Sequence, residues 1–389
     1  MNAAITWRMI TGEYPPQRGG VSDYSRVVAR GLVAAGDSVH VYAPAFPESD
    51  SHDDGIIVHR LSGRFGPRAL LELSRLLDHQ PSHRVLIQYV PHAFGFKAMN
   101  LPFCLWLYAH SRKFGGASVM FHEVQLGILS GDPARYRLID AVTKMMAMLA
   151  ARSAARIFVA TPRWEQLLSR YVPNNQPIVW MPVPSTVPVI DDCARVAAAR
   201  RRWSAHTQSA DGCLIGHFGT YSPAIAAMLC AIVPTILAND PAVTMLLIGA
   251  NGDTFRETLV NANPTLANRI AATGKLPADE LSLALSSCEV VIQPYPDGVT
   301  SRRTSMMAAL EHARAIVTTR GLFTESLWEQ SGAVLLAQAG DSRAFASAVG
   351  DLLGDRVRRR HSASAAKALY ASRFDVRHTV ESLRGSACA

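Results

Sequence analysis

TGEYPPQRGGVSDYSRVVARGL, residues 11–32, lies between a short apolar run, ITWRMI, and an amphipathic segment that stops at Gly36. A strand, a glycine-bearing turn and a helix in that order open a βαβ unit, and DSVHVYAP supplies its second strand. Ser22 is read as the helix N-cap, Val27, Gly31, Leu32 and Ala35 recur at helical spacing, and Gly36 ends the helix. The pair Gly19-Gly20 feeds that helix, whose first turn offers free N–H groups and a positive dipole end to an anion. Plain turns use such pairs too, so the question is whether these glycines cradle a phosphate.

The same rhythm continues outward. RVLIQYV (84–90), GASVMFH (116–122) and ARIFVA (155–160) read as strands separated by helices. The pattern lapses between about 173 and 212, where VPNNQPIVWMPVPSTVPVIDD is Pro-rich and RVAAARRRW is a short basic helix. It resumes with CLIGHF, VTMLLIG, IAATG, EVVIQPY, AIVTT and AVLLA. The expected fold is α/β, with two Rossmann-like doubly wound domains, 1–185 and 213–389, facing a central cleft. Residues 186–212 form the linker, and the terminal helices either complete the second domain or pack back on the first. The basic run DRVRRRH in those helices is read as a solvated face.

A chain of 389 residues and 42.2 kDa suits two cores, and 49% hydrophobic against 18% charged residues excludes a disordered one. The six cysteines (104, 193, 213, 230, 288 and 388) are scattered without a CxxC pair, which argues against a zinc site or a disulfide framework. The opening MNAAITWRMITGEYPP places Trp7 and Arg8 inside its apolar run, unlike a signal peptide, so a cytoplasmic protein is expected. Residues 212–239 lack charge but are broken by Gly219, Pro223 and Pro234, and read as buried strand, loop and buried helix rather than a membrane span. The net charge of +8 is uneven: residues 1–185 hold 19 Lys/Arg and 13 Asp/Glu, a surplus of +6. Such a surplus suits either an anionic partner or simple solubility. No aromatic-basic pattern accompanies it, so no nucleic-acid partner is expected. No Asp-x-Asp triplet exists, which leaves no GT-A type metal site, and the acidic SDSHDDG at 49–55 is read as a solvated loop.

No GxGxxG follows a strand and no P-loop is present, so neither redox nor NTPase chemistry is indicated. VVIQPYPDGVTSRRTSMMAALEHARAIVTT (290–319) is more informative. A buried strand ends at Pro294, a loop carries Asp297, Gly298, Ser301 and the Arg302-Arg303 pair, and a helix starts near Thr304. Forked guanidinium donors, hydroxyls and free helix amides converge there as a diphosphate would require.

GEYPPQRGGVSDYSRVVARGLVAAGDSVHVYAP, IQYVPHAFG, MFHE, HFGTY, LLIGANG and the PYPDGVTSRRTSMMAALEHARAIVTTRG block together resemble a family 4 glycosyltransferase of the GT-B fold, over nearly the whole chain. The resemblance implies metal-independent transfer of a hexosyl or related sugar, with retention of configuration, from a nucleoside diphosphate sugar (UDP- or GDP-linked) and with no further cofactor. Polysaccharide biosynthesis is the implied setting, and the acceptor would be a sugar, a glycan, a lipid-linked glycan or a small molecule. It puts the acceptor in the N-terminal domain and the donor in the C-terminal one. Arg302 and Arg303 would stabilise the leaving diphosphate, helped by the Gly19-Gly20 amides, and His122 would stand near the sugar, with Glu123 a weaker candidate. Gly219 and Thr220, in HFGTY, would line the donor site, as would Ser301 and Thr304; Lys275 in ATGKLP is either a further cation or a surface lysine.

The departures are specific. The Arg and Lys that family members carry after the first strand of the second domain are missing from HFGTYSPAI. The Glu pair seven positions apart is missing as well, its places falling near Asp297 or Thr300 and at Ala308; Glu325 is the candidate substitute at the ribose. Three hypotheses follow: an active enzyme whose SRRT loop replaces the missing cations, a catalytically lapsed GT-B protein that binds or scaffolds a partner, and a nucleotide-sugar epimerase. The epimerase ranks last because no carboxylate pair is placed for proton abstraction. AFGFKAMNLPFCLWLYAHSRKFGG (93–116) is either a helix buried on the N-terminal sheet or a peripheral contact with an anionic inner membrane face.

Overall fold

A computed structural model describes residues 3–47, 51–78, 83–125, 134–173, 175–204 and 212–385. The apolar runs of the first half become β1 (Thr6–Thr11), β2 (Ser38–Pro44), β3 (His52–Asp53), β4 (Ile56–Leu61), β5 (Arg84–Tyr89), β6 (Ala117–Phe121), β7 (Ala154–Val159) and β8 (Ile178–Trp180). Their order is β3-β4-β2-β1-β5-β6-β7-β8, parallel throughout except for the short β3–β4 pair. Such strands are buried on both faces, which is why RVLIQY and ASVMF run apolar without alternation. Helices α1 (Gly20–Ala34), α2 (Pro67–Asp78), α3 (Leu101–His110), α4 (Ala134–Arg152) and α5 (Pro162–Leu168) make the crossovers.

The second half begins with α6 (Cys193–Ser204) and alternates as β9 (Cys213–Phe218), α7 (Pro223–Asn239), β10 (Val243–Ile248), α8 (Gly252–Ala262), β11 (Ile270–Ala272) and α9 (Ala278–Ser287). It continues through β12 (Val290–Gln293), α10 (Thr304–Glu311), β13 (Ala315–Arg320), α11 (Ser326–Gln330), β14 (Leu335–Gln338), α12 (Ser342–Gly354) and α13 (Arg356–Leu369) to α14 (Val376–Arg384). Its all-parallel sheet runs β11-β10-β9-β12-β13-β14. The uncharged 212–239 stretch is β9, a loop and α7, and no helix among the described residues is long and apolar enough to cross a membrane.

The chain divides into one unit of residues 1–184 and 376–389 and another of 185–375. The segment 186–212, expected as a linker, falls within the second of these units. Its described part belongs to the C-terminal unit: α6 packs on α9, the Ile190 N–H donates to Ser282 Oγ at 2.9 Å, and Arg195 reaches Asp279 at 3.2 Å. Proline there sets an extended path whose polar groups are tied down, rather than a spacer. Helix α14 belongs to the N-terminal unit, with Val380 and Val376 against Gly31, where a Cβ would come within 2.9 Å of Val380.

Two local expectations also change. Residue 19, not Ser22, caps α1; Ser22 is buried and its hydroxyl donates to the Gln17 carbonyl. In SDSHDDG, Asp53 is not a solvated loop residue. It lies on β3 and accepts from Tyr14 Oη at 3.1 Å, Arg26 at 2.7 Å and Arg30 at 3.0 Å. Residues 49 and 50 of that stretch lie outside the described residues.

Candidate functional site

In the C-terminal unit the sequence-predicted residues gather where an open parallel sheet binds ligands, beyond the carboxyl ends of its strands. Gly219 and Thr220 follow β9, Lys275 follows β11, Asp297 to Thr304 follow β12 and Glu325 follows β13. The loop after β12 is clasped to the turn after β13. Gly298 has φ +88°, and a Cβ there would stand 2.1 Å from Thr324 Oγ1 and 2.5 Å from the Gly321 nitrogen, so only glycine fits. The Phe323 N–H donates to the Asp297 carbonyl at 2.8 Å, while the Asp297 side chain is exposed.

Glu325 completes the clasp. Its carboxylate accepts from the Ser301 N–H at 2.8 Å, the Ser301 hydroxyl at 2.7 Å and Trp328 Nε1 at 2.9 Å. Ser301 and Trp328 are both buried, so the carboxylate braces the loop from within. Ser301 is thus committed to the loop's own architecture, and Thr304 opens α10 behind it.

Arg303 and Arg302 are half-buried. The Arg303 guanidinium lies over the Tyr295 ring, 4.8 Å from its centroid, and its Nε is buried without a hydrogen-bond partner among the described residues. Tyr295 is itself fixed: its N–H donates to Thr319 Oγ1 at 2.7 Å and its hydroxyl meets Gln293 Oε1 at 3.3 Å and Ser305 Oγ at 3.1 Å. Gln293 in turn donates to the Phe218 carbonyl at the end of β9. A planar cation thus sits on an aromatic platform beside a helix N-terminus, a disposition that suits an oxyanion.

Beneath the β9 loop, His217 Nδ1 donates to the Ile292 carbonyl at 2.9 Å, which leaves Nε2 as an acceptor, buried and without a partner among the described residues. Burial lowers its pKa to about 4, so the ring is neutral. Gly219 passes over it: a Cβ would be 3.0 Å from Nε2, and a Cβ on Gly249 would be 2.3 Å from the Gly219 carbonyl oxygen. The Thr220 carbonyl accepts from Asn251 at 3.1 Å. Lys275 is exposed and stands two residues before Pro277, the N-cap of α9.

In the N-terminal unit the glycine pair has an internal explanation. Glu13 Oε1 accepts from the Val21 and Ser22 N–H groups, each at 3.1 Å. A Cβ on Gly19 would stand 2.2 Å from that oxygen, whereas Gly20 faces open space. The anion at the first turn of α1 is therefore the protein's own carboxylate, and burial, the largest influence, raises the Glu13 pKa. This is what the sequence reading missed; its only signal was an acid six residues ahead of a glycine pair.

His122 closes β6 as expected from MFHE, 8% exposed. Its Nε2 meets Gln88 Oε1 at 2.9 Å, its ring stands edge-on to Tyr24 at 4.5 Å, and its carbonyl accepts from Trp164 Nε1. Burial lowers its pKa to about 3, which keeps the imidazole neutral. Gln88 Nε2 and Tyr24 Oη are buried with no partner among the described residues. Glu123 follows, half-buried. The one signal for Gln88 in the sequence is a lone amide inside the apolar strand RVLIQYV.

Residues 19–184 match the family described as "Glycosyl transferase 4-like domain", and residues 212–355 match "Glycosyl transferases group 1". No curated protein matches the chain in sequence. Among solved structures, sucrose-phosphate synthase from Thermosynechococcus elongatus superposes with a TM-score of 0.73 at 16% identity, over 97% of each chain. Anabaena HepE in complex with UDP-glucose gives 0.71 at 13%, over 97% of this chain and 99% of that one. WaaG, involved in lipopolysaccharide biosynthesis, gives 0.66 at 12%, over 98% and 100%.

Proposed function

The chain belongs to glycosyltransferase family 4 and has the GT-B fold, and from that premise we propose that it transfers a sugar from a nucleoside diphosphate sugar held by the C-terminal unit. The observation that carries this proposal is Arg303. A guanidinium fixed over Tyr295, with a buried N–H that has no partner among the described residues, is a donor prepared for an anion that those residues do not supply. As the glycosidic bond breaks, charge grows on the leaving diphosphate, and donors already in position stabilise it without reorganisation. Arg302, the first-turn amides of α10 and Lys275 are the further groups we assign to that oxyanion.

UDP is the favoured carrier, supported by the HepE complex with UDP-glucose, and GDP is the second choice. We assign the acceptor, a sugar, glycan or lipid-linked glycan, to the N-terminal unit. There the partnerless Gln88 Nε2 and Tyr24 Oη offer hydrogen bonds beside a neutral His122. Transfer with retention, without a metal, in the cytoplasm and within polysaccharide biosynthesis is the extension that the family resemblance supports.

A second proposal, a lapsed transferase that only binds, is favoured by HFGTYSPAI, which carries neither the Arg nor the Lys that family members have after the first strand of the second domain. Calorimetry with UDP, GDP, ADP and dTDP, with and without magnesium, on wild type and Arg303→Ala separates the two. Loss of a guanidinium–phosphate contact is expected to weaken binding of one nucleotide by about 30-fold or more, independently of magnesium. No binding by the wild-type protein overturns the transferase proposal.

A further inference from the structure

At the amino end of β6 and β7, the end of the N-terminal sheet away from His122, lies a cavity of about 950 Å³. Arg112, Arg152 and Arg170 line it together with Tyr108 and Tyr171, and no carboxylate is among its described lining residues. All three arginines are exposed, and Arg152 Nε donates to the Tyr171 carbonyl at 3.4 Å. Gly116 and His122 bracket β6, so the cavity is about 20 Å from the site described above.

Two further observations bear on its occupant. The surplus of positive charge in the N-terminal half is confined to one part of it. Residues 1–92 hold nine Lys/Arg and nine Asp/Glu, whereas residues 93–185 hold ten against four, a balance of +6. The helices that run down to the cavity also present apolar side chains outward. Leu105 is 50% and Tyr108 47% exposed on α3, and Leu138 is 64% and Met145 48% exposed on the neighbouring α4. The buried face of α3, with Phe103, Cys104, Trp106 and Leu107, accounts for the packing, but it does not explain the outward Leu and Tyr. Apolar side chains beside a cluster of guanidiniums without acids match a lipid surface whose headgroups carry phosphate. A soluble phosphate ester would use the arginines but would leave the exposed leucines and methionine unexplained.

We infer that this cleft binds the phosphate headgroup of an anionic phospholipid, with the outward faces of α3 and α4 resting on the bilayer. The inference stands apart from sugar transfer, because it concerns the other end of the sheet and is read without catalysis. It narrows the two alternatives for residues 93–116: α3 is packed on one face and lipid-facing on the other.

The test is co-sedimentation of the full chain with vesicles of phosphatidylcholine, alone or mixed with phosphatidylglycerol, at low and high salt. The variants are Arg112→Gln/Arg170→Gln, Leu105→Ser/Tyr108→Ser and, as a charge-matched control on α13, Arg356→Gln/Arg360→Gln. Binding is expected only to the anionic vesicles, to fall with salt, and to drop about 30-fold when the two cleft arginines are removed. The apolar double variant should also weaken it, and the α13 variant should bind as wild type. Circular dichroism confirms that these exposed substitutions leave the fold intact. No binding at low salt, or equal loss in the cleft and α13 variants, overturns the inference. A thermal shift with inorganic pyrophosphate that depends on Arg112 and Arg170, without vesicle binding, overturns the membrane occupant and assigns the cleft to a free phosphate compound.

Discussion

Replacing Glu325 by Ala and by Gln separates a brace from a ligand contact. The carboxylate accepts hydrogen bonds from the Ser301 N–H, the Ser301 hydroxyl and Trp328 Nε1, at 2.7 to 2.9 Å. Alanine takes the carboxylate acceptor away from two N–H donors in a buried setting. At roughly 1–3 kcal/mol for each, the C-terminal unit should lose about 3 kcal/mol. Glutamine can keep the geometry, because its carbonyl can face Ser301 N and Trp328 while its amide donates to a reoriented Ser301 hydroxyl. Only the charge assistance is then lost, about 1 kcal/mol after the smaller desolvation cost. Urea unfolding followed by tryptophan fluorescence reads this directly, because Trp328 is in the clasp. The midpoint should fall by roughly 1 M or more for Glu325→Ala and by a fraction of that for Glu325→Gln. Nucleotide affinity, measured by calorimetry under folding conditions, should stay within about tenfold of wild type in the Gln variant. A Glu325→Ala protein that unfolds at the wild-type midpoint refutes the brace. A Gln variant of unchanged stability that no longer binds nucleotide would instead make Glu325 a ribose contact.

Other outcomes follow from the same geometry. Gly19→Ala should destabilise the N-terminal unit by about 1 kcal/mol, because its Cβ displaces the Glu13 carboxylate from the first turn of α1. In a Glu13→Ala background the same change should cost close to nothing, and additive effects in that cycle would show that the two are not in contact. His217 and His312, in the C-terminal unit, are held neutral by burial with pKa values lowered from 6.5 to about 4. A lowered histidine pKa means that the unfolded chain binds the proton first. This stability is therefore present above pH 6.5 and lost as pH falls toward 4, at up to about 2.7 kcal/mol per pH unit for the pair; a pH-independent urea midpoint across that window would contradict it. Gly298→Ala should lower thermal stability and nucleotide affinity together, since the added methyl group meets backbone at Gly321 rather than a movable side chain. A variant that keeps wild-type melting would show that the clasp is looser than described.

Much of the architecture was legible because a parallel sheet is covered on both faces, so its strands appear as unbroken apolar runs at regular intervals. The loop after β12 was legible as a loop, because Pro294, Pro296 and Gly298 break the apolar run before the helix that opens at Thr304. What escaped depends on partners distant in sequence. Asp53 is fixed by Tyr14, Arg26 and Arg30, more than twenty residues away, and nothing in SDSHDDG announces that. Ser22 has the composition of an N-cap, yet a glutamate upstream takes the amides first and pushes the helix start back to Gly20. The 186–212 segment has the composition of a spacer, but Ser282 and Asp279, some ninety residues on, fix it. Gln88 and His217 sit inside apolar strands, where a single polar residue reads as tolerated rather than as placed.

The position of α14 has a consequence for how the protein is made. Arg84 and Arg156 donate to carbonyls at Leu383, Arg384 and Ser382, and Arg384 reaches Asp37, the same carboxylate that anchors the Ile5 N–H and the Trp7 indole. The unit that leaves the ribosome first therefore cannot be finished until residues 376–385 have emerged, after the whole of 185–375. During synthesis the inserted unit can fold first, while its older neighbour waits with the Gly31 face of α1 bare. A stalled or C-terminally nicked chain would thus fail in the half that was translated earliest.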